Sequence, residues 1–209
     1  MLVVGVDESG TGAFAGPFHV AAVAVDVVPF NSAIGRYLRD SKKLSDTKRR
    51  KACPLIREHA RAYSVIEIPV WEINIGHRTA WRNGIARALQ AVRTQLNGEP
   101  FNLIIDGLPD DGLIDLLRTN NPPPRFEEGA DERFPPVMAA AILAKTARND
   151  VMVGLASEFP EYGWEQNKGY GVPFHRKACE EHGVTKHHRR IKSLRRCKGY
   201  APKGEWFEP

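Results

Sequence analysis

Three acids stand where short apolar runs end. Asp7 and Glu8 follow the run 2–6, and Asp106 follows the run 101–105. Runs of this kind read as strands buried on both faces. In an open α/β sheet, groups just outside the strand ends converge on one crevice. Carboxylates gathered there repel one another unless positive charge sits among them. Two divalent ions would supply it, and hard oxygen ligands suit Mg²⁺ or Mn²⁺. Such a pair, about 4 Å apart, can activate a water and stabilise the leaving oxygen of a phosphodiester in one in-line step. The plainer reading of Asp7 and Asp106 is as turn residues, which aspartates often are. Taken singly, each favours that reading.

The elements that must position these acids follow from pattern. Residues 2–6 predict a buried strand, and the valine- and alanine-rich stretch 20–28 predicts a second strand pairing with it. Between them, residues 7–12 form a tight loop punctuated by Gly10 and Gly12. Residues 31–43 are polar and broken. Ser45 caps a helix to about residue 60, which Pro54 should kink or split. Residues 63–70 predict a strand and 79–96 a helix with Ile85, Leu89 and Val92 on one face. A strand at 101–105, a short helix at 111–118 and an edge strand at 125–128 come next. The alanine-rich stretch 137–157 predicts an amphipathic helix. An aromatic, glycine-containing loop covers 159–170, and a short helix over 173–182 is closed by Gly183. Strands first, then alternating helices and strands, predict an α/β fold with a mixed sheet.

Bulk properties narrow the class. A chain of 209 residues can bury a core without disulfides or a structural metal. Its formal net charge of +5 suits a polyanionic partner. Cys53, Cys179 and Cys197 are an odd set without metal-site spacing, and read as reduced thiols. The His187-His188 pair has no further ligands at zinc-site spacing. The apolar start is too short for a signal peptide, and no stretch approaches a membrane span of about 20 residues. A soluble, cytoplasmic protein with no membrane partner is expected.

The sequence around these acids resembles ribonuclease HII. Val4-Gly5-Val6-Asp7-Glu8-Ser9-Gly10 looks like the family's opening GxDExG motif, with Ala15-Gly16-Pro17 after it. Asp40-Ser41-Lys42-Lys43-Leu44-Ser45 matches its DSKKLS segment, and Ile105-Asp106-Gly107 its IDG. Ala140-Ala141-Ile142-Leu143-Ala144-Lys145 resembles AASILAK with alanine for serine. Phe159-Pro160-Glu161-Tyr162-Gly163 and Lys168-Gly169-Tyr170-Gly171 match two late motifs. The ordered matches run over roughly residues 2 to 190.

The resemblance implies a ribonuclease H-like fold, a central mixed β-sheet flanked by helices, with a helical C-terminal region. It implies a catalytic domain over 1–190 and a basic tail over 191–209. It implies an endoribonuclease that hydrolyses the RNA strand of RNA–DNA hybrids and cuts at ribonucleotides embedded in duplex DNA, leaving 3′-hydroxyl and 5′-phosphate ends. Four acids would hold two Mg²⁺ or Mn²⁺ ions: Asp7, Glu8, Asp106 and, shortly before the AASILAK helix, Asp131, with Glu132 as the neighbouring alternative. The loop Gly10-Thr11-Gly12 would touch the ribose 2′-hydroxyl through its backbone, because glycines permit close approach. Tyr170 would lie against the sugar at the RNA–DNA junction. Lys42, Lys43 and Lys145 would contact phosphates, and Arg189 would bind substrate as part of an HRRSF-like ending. A monomer is expected.

Thr11 stands where the family has an arginine whose planar fork grips phosphate, which threonine cannot do. That departure defines the alternative of an enzyme restricted to longer RNA–DNA hybrids. A hybrid-binding protein without catalysis is the rival of a different class, and the presence of all four acids speaks against it. Residues 186–198 carry seven lysines and arginines, which can add salt-sensitive phosphate contacts or form a solvated tail.

Overall fold

The computed structural model describes residues 1–38, 44–118 and 122–200. They cluster into two compact units. The first comprises Met1–Ser9, His19–Ile66 and Arg82–Thr146, and the second Gly10–Phe18, Glu67–Trp81 and Ala147–Pro209. Lys42 and Lys43, most of the DSKKLS segment and the end of the basic tail lie outside the described residues.

The first unit is built on five strands: β1 (Leu2–Ser9), β2 (Phe18–Asp26), β3 (Ala62–Ile68), β4 (Asn102–Asp106) and β5 (Arg125–Glu127). Their order is β3-β2-β1-β4-β5. β1 and β2 run antiparallel, from Leu2 opposite Asp26 to Ser9 opposite His19. On its other side β1 pairs in parallel with β4, Val3 with Asn102 through Val6 with Ile105. β4 pairs in parallel with β5. The sheet is mixed, as the order of strands and helices predicts. β1 is buried from Leu2 to Asp7, which explains why its sequence runs apolar without alternation.

The helices are α1 (Val27–Leu38), α2 (Asp46–His59), α3 (Val70–Ile75), α4 (His77–Gln95), α5 (Asp111–Leu116), α6 (Pro135–Glu158), α7 (Trp164–Asn167) and α8 (Pro173–His182). α1 replaces the broken segment expected there. Phe30, Ile34 and Leu38 are buried at four-residue spacing, a helical stripe diluted in the sequence by Pro29, Asn31, Ser32 and Gly35. Pro29 falls in the first turn, where proline costs little. β2 accordingly stops at Asp26, two residues before the expected end. Ser45 caps α2 by accepting from the Lys48 N–H at 3.4 Å. Pro54 does not split this helix: it lies on the exposed face, where the carbonyl stranded by its ring can be hydrated. Pro69 ends β3 and starts α3, an element the strand pattern over 63–70 conceals.

α6 departs from the amphipathic expectation. Ala139, Ala140, Ile142, Leu143 and Ala144 are all buried, so its small residues are covered around most of the circumference. In the first unit it packs with β2, α1 and α2, where Val23, Val25, Phe30, Ile34 and Ile56 join it in one core. In the second unit Met152 and Ala156 of the same helix pack with Tyr162, Trp164, Cys179 and Leu194. No helix among the described residues is long and apolar enough to cross a membrane.

The tightest packing in the first unit is backbone on backbone. A Cβ at Gly5 would stand 2.3 Å from both Pro136 C and Val137 N at the start of α6. The strand carrying Asp7 therefore approaches α6 as closely as chemistry allows. Gly5→Ala should destabilise the fold by about 3 kcal/mol, lowering the melting temperature by roughly 6–12 °C. An unchanged thermal melt would show that the helix can retreat without cost.

Candidate active site

Asp7 sits on the central strand with only 8% of its surface exposed. The parallel register carries Val6 beside Ile105, so the next residues, Asp7 within β1 and Asp106 at the end of β4, follow on adjoining strands. Asp106 Oδ1 accepts from the Ala130 N–H at 2.7 Å, which ties the short 3₁₀ turn Ala130–Glu132 to the end of β4. Gly129 enters that turn in the left-handed conformation at φ 69°. Asp131 is buried in the turn while Glu132 is exposed.

The electrostatics of Asp7 register the other three acids. Burial pushes the Asp7 carboxyl well above the ordinary carboxylate range, and the charges of Glu8, Asp106 and Asp131 push it further. A hydrogen bond from the Glu8 N–H to Asp7 Oδ1, 2.7 Å long, acts in the opposite direction. The result is an all-oxygen set of carboxylates in one unit, the donor chemistry that a hard divalent cation prefers. Asp7, Glu8, Asp106 and Asp131 could hold such an ion. Lys145 is half-buried on α6 in the same unit.

The second unit presents the loop 10–12 and Tyr170. Two buried arginines shape that loop from below. Arg189 donates from Nε to the Gly16 carbonyl at 2.9 Å and from Nη1 to the Thr11 carbonyl at 2.7 Å. Arg148 donates from Nε to the Pro17 carbonyl at 3.0 Å and from Nη2 to the Lys168 carbonyl at 2.7 Å. Burial pulls both guanidinium groups down, Arg189 to about 9, helped by the charge of Arg148. Gly10 has no alternative here: its φ is 94°, and a Cβ would fall 1.8 Å from Arg148 Nε. The Gly169 carbonyl accepts from the Phe14 N–H at 2.8 Å, joining this loop to the segment before Tyr170. Tyr170 itself is 41% exposed, with the Arg148 guanidinium 5.1 Å from its ring centre. Arg189 thus gives Nε and Nη1 to backbone carbonyls, while its Nη2 is buried without a hydrogen-bond partner among the described residues. Thr11 contributes a carbonyl held from two sides, by Arg189 and by His77 Nε2 at 3.0 Å.

Sequence reasoning missed a second cluster in this unit. His175, Cys179 and His188 bring their ligand atoms within 4.8 Å of one another. His175 and Cys179 stand one helical turn apart on α8 and His188 follows nine residues later, a spacing that a search from His187-His188 alone overlooks. Their lone pairs are nonetheless committed. The Trp164 indole N–H donates to His175 Nε2 at 3.0 Å, and His175 Nδ1 lies 2.9 Å from the Tyr170 carbonyl, to which it must donate. His188 Nδ1 accepts from the Thr185 N–H at 3.0 Å, leaving the hydrogen on Nε2. That hydrogen faces His175 Nε2 at 3.2 Å and Cys179 Sγ at 3.3 Å. Burial lowers His175, takes His188 down to about 3 and raises Cys179 to about 12, so all three are neutral near pH 7. The trio is a hydrogen-bonded chain. Arg148 was also missed as a site residue, although it falls on the buried stripe of α6 between Ala144 and Met152, a signal a helical wheel shows.

The crowding around Asp7 has a measurable cost. Asp7→Asn keeps an oxygen for the Glu8 N–H while removing one of the repelling charges. In the presence of a chelator this variant should be more stable than the parent by on the order of 1 kcal/mol, read from thermal unfolding. A loss of stability would mean that repulsion does not govern this site.

Comparison with known proteins agrees with the geometry. The family model described as ribonuclease HII matches residues 4–198. A ribonuclease HII of Corynebacterium glutamicum is 37% identical over 189 residues, covering 90% of this chain and 84% of the relative. The solved ribonuclease H2 of Pyrococcus horikoshii OT3 superposes with a TM-score of 0.77 at 24% identity, over 93% of this chain and 96% of its own. A Bst ribonuclease HIII solved in complex with Mn²⁺ gives a TM-score of 0.72 at 24% identity, over 87% of this chain and 61% of its own. The architecture is therefore the ribonuclease H fold, and the family match over residues 4–198 places the chain in the ribonuclease HII family.

Proposed function

We propose that this member of the ribonuclease HII family cuts the RNA strand of RNA–DNA hybrids, and also duplex DNA at single embedded ribonucleotides, by phosphodiester hydrolysis that leaves 3′-hydroxyl and 5′-phosphate ends. Ribonuclease H activity follows from the family. The observation that carries the metal-dependent reading is the placement of Asp7, buried on β1 beside the strand that ends in Asp106, with Glu8 and Asp131 close enough for their charges to raise its carboxyl further. Two Mg²⁺ or Mn²⁺ ions bound there would relieve that repulsion and supply an activated water and a stabilised leaving oxygen. Asp7, Glu8, Asp106 and Asp131 are the ligands in this reading. Asp106 has a double role, because the oxygen that bonds to Ala130 N–H also fixes the turn bearing Asp131.

In the second unit the backbone of Gly10-Thr11-Gly12 senses the ribose. Gly10 lets the loop pass over Arg148, and Arg189 and His77 hold the Thr11 carbonyl in place. With these groups fixing the loop from inside, recognition of the 2′-hydroxyl does not need a side chain at position 11. This supports cutting at single ribonucleotides despite the missing arginine. Lys42, Lys43 and Lys145 contact phosphates, and the enzyme acts as a monomer.

Cleavage of two labelled duplexes tests this, one with a single ribonucleotide in DNA and one a continuous RNA–DNA hybrid, each with Mg²⁺ and with Mn²⁺. Both should be cut, and Asp7→Asn should lower kcat by at least about 100-fold. Cutting of the continuous hybrid alone would show that Thr11 narrows the substrate. Binding without cleavage of either would remove the catalytic reading.

A further inference from the structure

The chain of buried imidazoles ends on Tyr170, an exposed aromatic that follows Gly169, whose carbonyl accepts from the Phe14 N–H. Tyr170 is anchored by its backbone as well as its ring. Its N–H donates to the Asn167 carbonyl at 3.0 Å, and its own carbonyl accepts from the Val172 N–H at 2.8 Å and from His175 Nδ1 at 2.9 Å. His175 is fully buried and cannot turn, because Trp164 occupies its Nε2 and His188 stands beside the same atom. His188 is locked in turn by Thr185, through the backbone N–H at 3.0 Å. Each ring therefore has one tautomer compatible with its neighbours. The donor at the end of the chain points at the Tyr170 carbonyl.

Lys168 just before it adopts φ 50°, a left-handed conformation that a lysine pays to enter. Asn167 stabilises the bend by accepting from the Gly169 N–H at 2.8 Å through Oδ1. A segment bent in this way needs a fixed point beyond the bend. The bond from His175 is that point. A metal ion at the trio would instead have to displace the Trp164 indole from His175 Nε2, which the existing bonds oppose.

We propose that His175 is a positioning residue for the reaction: its Nδ1–H fixes the Tyr170 backbone, and with it the ring that meets the sugar at an RNA–DNA junction. The proposal rests on the reading of Tyr170 as the ribose-sensing aromatic. His175 touches no substrate itself. Its effect is on the placement of the bound strand, so it belongs to kcat as well as to KM. Misplacement by an ångström can cost on the order of 100-fold in rate.

Three substitutions separate this role from simple packing. His175→Asn puts an amide N–H near the place of Nδ1 and keeps the bond to Tyr170. His175→Gln extends its amide toward the place of Nε2, keeps a partner for Trp164 and loses the bond to Tyr170. His175→Leu loses both. With the single-ribonucleotide duplex, His175→Asn should stay within about threefold of the parent in kcat/KM, while His175→Gln should fall by roughly 10- to 100-fold, with a lower kcat. Equal activity of the Asn and Gln variants, normalised to the folded fraction, would overturn the proposal, and that comparison survives if His175→Leu fails to fold. The second arm places His175→Gln in a Tyr170→Ala background. There it should cost little more, because coupled residues are not additive. A full additive loss would overturn the positioning role alone. A Tyr170→Ala enzyme as active as the parent would instead sink the ribose-sensing reading on which the role rests.

Discussion

The parallel pairing of β1 with β4 is the constraint on which the acid cluster depends. It sets Val6 beside Ile105 and so delivers Asp7 and Asp106 to the same end of neighbouring strands. A slip of one residue would send one of the two carboxylates to the opposite face of the sheet. The register is protected from both sides. Gly5 allows α6 to approach the strand at backbone distance, and the antiparallel ladder to β2 holds all eight residues of β1. The repulsion among the acids is concentrated where the scaffold is least able to relax. This is how a fold can hold like charges together: the cost is met by burial and backbone pairing elsewhere in the sheet.

Much of this was legible in the residues. The apolar runs ending in Asp7 and Asp106 predicted both strands and the convergence of their acids, and the mixed sheet followed from element order. Asp131 was reached only through resemblance, because its place depends on a hydrogen bond from Ala130 to Asp106 that no local pattern announces. The helix over Val27–Leu38 was hidden by proline, glycine and polar residues between its buried positions. The short helix Val70–Ile75 was hidden behind Pro69, which reads equally well as the end of a strand. Boundaries failed where one residue type serves two elements.

The second unit was harder to read because its order comes from polar groups far apart in the chain. Arg148 and Arg189 satisfy carbonyls of a loop more than a hundred residues away, and among the described residues neither has a carboxylate partner. Sequence spacing treats such arginines as surface or substrate contacts. Burial shows that their donors are needed inside. The same holds for His175 and His188, whose meeting depends on the chain folding back so that Ala15 pairs with His188. Backbone carbonyls, not acids, compensate these cations, so the second unit offers a loop of fixed shape with positive charge beneath it.

The strand pairing also bears on how the chain is made. β1 finds one partner, β2, within the first 26 residues, but its other edge must wait for β4 at Asn102–Asp106. At translation speeds of roughly 5–20 residues per second, those hundred residues take about 5–20 s to emerge. During that interval β1, with its apolar run 2–6, has an unpaired edge, the kind of surface on which strands of other chains add. The growing chain thus exposes β1 well before the strand that covers its free edge is made. A chaperone that held the first hairpin until β4 appeared would act on the step that also assembles the acids.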